Sequence, residues 1–205
     1  MQLTAVFETW HLGDGNYPPL HKGQLVRLSF EFMPDTLVKT GPQPGKFEHI
    51  KDGGYKFAGI VLKIYGDPPS GRIVVVQADD FRFYINSFPP ESAPLKEGDR
   101  CEGTGNLLFD HYIWVQFLAN YKDPPDLFYS LRVTSIRAVK IPESFISRTK
   151  NAQAGPASLA LDEYTEEDIT EVEKMEDFKV DWSFFLVALD DSGVGTVNVP
   201  RTFHS

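Results

Sequence analysis

In the stretch WHLGDGNYPPLHKG, residues 10–23, two imidazoles flank a carboxylate. His11, Asp14 and His21 are of the types a catalytic divalent ion takes, with a position left open for water. If the flanking strands form a hairpin, His11 and His21 lie at opposite ends of one loop. The Asp-Gly-Asn series lacks the regular oxygen ligands of a calcium loop. Asp, Asn, Gly and Pro are also what a turn needs for conformational reasons alone. The stretch therefore reads first as a connection between strands, and second as the metal centre of a metal-assisted hydrolase. No other cofactor is implied.

Other candidate chemistry is thinner. The chain has no phosphate loop, nucleophile elbow, zinc-protease helix or Cys-x-x-Cys spacing. Its single cysteine, Cys101, lies between Asp99 and Glu102, which would raise rather than lower a thiol pKa, so it reads as a buried structural residue. His49 with Asp52, and Asp110 with His111, read as loop and turn pairs. In DFRFYIN, residues 80–86, Arg82 and Tyr84 alternate with Phe81, Phe83 and Ile85. With Arg72 and Arg132 they would form the contact face of a barrel that binds single-stranded nucleic acid or oligosaccharide.

Charge placement argues against nucleic acid. The net charge is -9, and residues 162–177, DEYTEEDITEVEKMED, hold nine acidic side chains against one lysine. That segment carries -8, leaving the rest about -1, without the basic excess that drives counterion release. Glu163, Glu166, Glu167 and Glu171 are accordingly expected to form a docking surface for a basic protein partner, or to fold back over the chain's own arginines.

The elements that position these residues are strands. Period-two alternation recurs through the first 140 residues, most clearly in QLVRLSFEF, residues 24–32. Residues 55–65, 71–77, 80–86, 105–119 and 127–141 follow with β-branched and aromatic majorities. In LFYSLRVTSIRAV the apolar positions are odd through Val133 and even from Ile136, which calls for a bulge near Thr134 and Ser135. Residues 33–54, with four glycines and three prolines, read as a long loop.

The expected fold is mainly β, a small curved-sheet barrel or sandwich over residues 1–146, and barrels of the oligonucleotide/oligosaccharide-binding type belong to that class. A linker spans 147–158, and 159–205 hold an acidic helix capped by Thr165 and Asp168, then a β-hairpin with its turn at Asp190 to Gly193. That hairpin carries Phe184, Phe185 and Val187 and must dock on the body or on a second copy in a homodimer. No leader or membrane-length apolar run is seen, and one cysteine suits a reducing compartment. The expectation is a cytoplasmic, non-enzymatic protein-binding module of inhibitor or immunity type.

Overall fold

The computed structural model describes residues 1–8, 11, 17–66, 72–92, 94–110, 112–140, 165–172 and 182–191. The strands are β1 (Gln2–Glu8), β2 (Leu20–His21), β3 (Leu25–Leu28), β4 (Phe30–Thr40), β5 (Lys46–Lys51), β6 (Gly54–Tyr65), β7 (Ile73–Ala78), β8 (Phe81–Ile85), β9 (Arg100–Phe109), β10 (Tyr129–Lys140), β11 (Thr165–Ile169), β12 (Glu171–Val172) and β13 (Trp182–Asp190). A short helix, α1 (Ile113–Gln116), and a 3-10 turn at Leu118–Asn120 follow β9.

Five strands close a barrel. β9 pairs antiparallel with β4 and β6, β6 with β7, and β7 with β8. The ring shuts through a parallel contact of β8 with β4 at Glu31 and Tyr84. The pairings then continue from β9 through β1 and β13 to β10, and return by way of β3, which runs into β4 across Ser29. The body is thus a barrel with a second curved sheet sharing its β9 and β4 edge.

The interior follows from the alternation. Phe30 and Phe32 of β4, Phe57 of β6, Phe81 and Phe83 of β8, and Phe109 of β9 are buried in one cluster with Phe7 and Phe185. Because Phe185, Val187 and Leu189 join it, β13 belongs to the same core as residues 1–140. This is how the first hairpin arm covers its apolar residues: it inserts between β1 and β10. The expected second arm lies outside the described residues, as does the linker at 147–158. The bulge expected near Thr134 and Ser135 is present as a register shift between Val133 and Ser135.

Three expectations are corrected. Residues 165–172 form β11 and β12, not an acidic helix: β11 pairs antiparallel with β10, and β12 with β2. The backbone of β10 offers a ladder that a narrow helical stripe cannot match, and tertiary pairing overrides local propensity. Residues 33–54 are not one loop, because β4 runs through Pro34 to Thr40 and β5 follows. Proline lacks the N–H a ladder needs, and the register shift between Pro34 and Thr36 absorbs it. The strand read over 105–119 ends at Phe109, because Tyr112 takes a left-handed conformation (φ 64°) and starts α1.

The segment from Tyr112 to Phe128 then covers the outer face of the barrel. Trp114, Leu118 and Leu127 pack on Tyr65, Ile73, Val75 and Tyr84 in a second buried cluster. The Trp114 indole N–H donates to the Pro125 carbonyl (3.1 Å), and the Tyr65 hydroxyl to that of Asp123 (3.3 Å). The middle of β7 is therefore buried on both faces. Among the described residues no helix is long and apolar enough to cross a membrane.

Candidate functional site

The acidic strand lies at the end of the sheet. β11 has one sheet neighbour among the described residues, β10, with Asp168 opposite Arg137, Glu167 opposite Ala138 and Glu166 opposite Val139. Ile169, opposite Ile136, packs against the main core and anchors the strand. Past Thr170 the chain pairs with β2, where Glu171 stands opposite His21 and its carboxylate reaches His21 Nδ1 at 3.4 Å. Glu167, Asp168 and Glu171 are exposed, while Glu163 lies outside the described residues. The segment pairs with β10 through its backbone and turns carboxylates to solvent.

Of the three metal candidates, His11 and His21 fall among the described residues. His11 is fully buried, its ring stacked on Phe7 at 5.1 Å between centroids and edge-on to Tyr17 (5.1 Å) and Tyr112 (5.7 Å). Its Nδ1 rests on the Glu8 backbone, 3.2 Å from the amide nitrogen and 3.1 Å from the carbonyl oxygen. His21 stands on β2 beside Glu171, and Asp14 lies outside the described residues. Among the described residues no three His, Cys, Asp or Glu side chains form a group able to hold a metal ion. His11 serves the aromatic core. Its replacement by alanine is expected to cost about 3 kcal/mol in denaturant unfolding, the scale of a truncated buried aromatic. A loss under about 0.5 kcal/mol, the range of surface substitutions, would contradict that packing role.

The arginines of the expected contact face each bond within the chain. Arg72 donates to the Leu95 carbonyl, Arg82 Nε to the Gln77 side chain (3.1 Å), and Arg132 to the Gly23 carbonyl (2.9 Å). Tyr84 is fully buried. It does alternate with Phe81, Phe83 and Ile85, but its side of β8 faces the covering segment rather than water.

No family model matches the chain, and neither a curated protein nor a solved structure matches it.

Tyr84 leads instead to a cluster that sequence reasoning missed. Its hydroxyl hydrogen-bonds Asp110 Oδ1 and lies 3.2 Å from Glu31 Oε2, and the Trp114 amide donates to the same Asp110 oxygen (3.4 Å). The Ser29 hydroxyl is near enough to ease the charge on Asp110 but falls outside hydrogen-bonding geometry. Burial pushes the Asp110 carboxyl up to about 6, against the opposing hydrogen bonds of Tyr84 and Trp114. Burial, then the charges of Asp110 and Glu31, raise the Tyr84 hydroxyl well above its usual value. With Asp110 at 0% and Glu31 at 2% exposure, the cluster is closed to solvent. It fastens the parallel seam of the barrel to the covering segment. The available signal was Glu31 and Asp110 ending polar and apolar strand runs that both proved buried.

Cys101 is buried in the main core as expected, and burial followed by the Asp99 charge pushes its thiol up to about 12. A thiol so placed is protonated and inert.

Proposed function

We propose that the chain is a non-catalytic binding module that engages a basic protein partner through β11 and the acidic residues beside it. The observation that carries this reading is the position of β11. Among the described residues it is the terminal strand of the sheet, held to the body through its ladder with β10 and through Ile169, with Glu167 and Asp168 exposed. A terminal strand offers backbone groups for pairing with another chain, and a block of carboxylates speeds encounter with a cation-rich surface. An inhibitor or immunity-type protein working in the cytoplasm fits this arrangement, and a single inert thiol suits such a compartment. Because β13 pairs within its own sheet, covering Phe185 and Val187 requires no second copy.

The nucleic-acid or oligosaccharide reading has less support. Counted from β6, the barrel pairs in the order of oligonucleotide/oligosaccharide-binding barrels, with the fifth strand moved to the front of the chain as β4. Such barrels bind on the face of their second and third strands. Here these are β7 and β8, and Trp114, Leu118 and Leu127 cover Tyr84 and Val75 on that face. Fold likeness by itself carries no function.

The charge test spares Glu171, whose carboxylate reaches His21, and Asp168, which stands opposite Arg137 in the ladder. Glu163→Gln, Glu166→Gln and Glu167→Gln together should leave the melting temperature within a few degrees. They should also abolish salt-sensitive retention of basic proteins from native lysate. Retention of the same proteins by the triple variant would overturn the proposal.

A further inference from the structure

A cleft of about 330 Å³ lies between the β5–β6 hairpin and the outer side of β1, β13 and β10, lined in part by Gln2, Thr4, His49, Tyr55, Thr134 and Asp190. It is of the size that takes one small molecule. Two features build it. The β10 bulge leaves Thr134 exposed, its hydroxyl donating to the Ala188 carbonyl at 3.2 Å. The hairpin tip is held down by Asp52, at 3.5 Å from Arg137, and by the Leu107 amide donating to the Gly53 carbonyl at 2.8 Å.

The hydrogen-bonding state of the lining decides what it suits. His49 Nε2 lies 2.6 Å from the Asp52 carbonyl oxygen, which only accepts, so Nε2 carries a proton and donates to it, and Nδ1 is the ring nitrogen not used in that bond. Thr134 has spent its proton on Ala188 and keeps its lone pairs. Asp190 adds a carboxylate with several acceptor sites, more than one neighbour saturates. It stands opposite Gln2 on β1 and Arg132 on β10, and the Arg132 guanidinium donates to the Gly23 carbonyl. The Tyr55 hydroxyl accepts the Thr4 amide (2.8 Å), which leaves its own proton and the Gln2 amide as the donors among these side chains. Among the lining side chains the charged group is the Asp190 carboxylate, with Thr134 adding further acceptor sites. The His49 and Tyr55 rings, 5.1 Å apart and tilted by 57° to each other, border the cleft where an alkyl stem would lie.

We infer that this cleft binds a small organic cation, a guanidinium or primary ammonium on a short alkyl stem. The inference does not rest on the role proposed for β11. The cation comes either from a free amine or from a basic side chain of a bound protein.

The test follows the His49 and Thr134 resonances of the full chain at constant ionic strength. The probes are n-butylguanidinium, its neutral isostere n-butylurea, and a capped Gly-Arg-Gly peptide. Saturable shifts with n-butylguanidinium are expected, at least tenfold weaker with n-butylurea and at least tenfold weaker in Asp190→Asn. Equal binding of n-butylurea overturns the inference, as does the absence of saturation. If Asp190→Asn melts early, His49→Gln replaces it with the same expected loss. Peptide binding as tight as that of n-butylguanidinium assigns the cation to a protein side chain, and much weaker peptide binding assigns it to a free amine. Glutamine at 163, 166 and 167 should leave the titration unchanged, which separates this site from the acidic strand.

Discussion

Gly105→Ala is expected to destabilise the chain by more than about 3 kcal/mol, or to prevent folding, read by urea unfolding and soluble yield. The reason lies in the closest backbone approach of the barrel. A Cβ on Gly105 would stand against the Met33 carbonyl oxygen, 2.7 Å from Pro34 Cα and 2.9 Å from Met33 C. These are backbone atoms at the bulge where β4 crosses β9, so relief requires moving a strand rather than a side chain. Gly103 is in the same position against the Thr36 carbonyl. Gly41 is the control, since a Cβ there meets nothing within 4 Å and alanine should change stability by less than about 0.5 kcal/mol. Similar losses at Gly105 and Gly41 would contradict the crossing.

Asp110→Asn should change the pH dependence of stability. The folded Asp110 carboxyl titrates near 6, above the 3.8 of an unperturbed one. Between those values the folded chain keeps a proton that the unfolded chain has released. The stability tied to that proton is complete below about pH 4 and lost as pH rises through 6, a fall of about 3 kcal/mol. Asparagine keeps an oxygen to accept from Tyr84 and Trp114 and carries no charge to desolvate. The variant should therefore match the parent near pH 4 and exceed it by up to about 3 kcal/mol at pH 7. An equal difference at both pH values would show that Asp110 is not protonated by burial. Glu97 and Asp99, held low by hydrogen bonds from the Ile64 amide and from Lys39, drift in the opposite sense as pH falls. The difference between variant and parent removes that background.

Several parts of this architecture were legible in the sequence for a plain reason: a strand with one buried face writes its alternation into the chain. The strands at 55–65, 71–77 and 80–86, the Val133 to Ser135 bulge, the need for the segment carrying Phe185 and Val187 to dock, and the burial of Cys101 all follow from where apolar residues fall. Elements whose environment is set by a distant partner were not legible. Thr165 and Asp168 resemble a helix cap, and only the open ladder of β10 makes the segment a strand. Pro34 and the glycines after it read as a loop until β9 supplies glycines of its own at the crossing. Tyr84 looks solvent-facing because its strand alternates, yet a segment some thirty residues downstream covers that face. The cleft at His49 joins residues from β1, β5, β6, β10 and β13, a convergence that no local window contains.

The claim that β11 is a docking surface is most directly tested by photo-crosslinking. A benzophenone side chain is placed at position 167 on β11, and separately at the exposed Val38 on β4. Crosslinking in native lysate should join a basic protein to position 167, and high salt or the Glu163→Gln and Glu166→Gln changes should weaken that product. The Val38 probe should yield no such product. An equal yield from both positions, or a product at Val38 alone, would contradict the account.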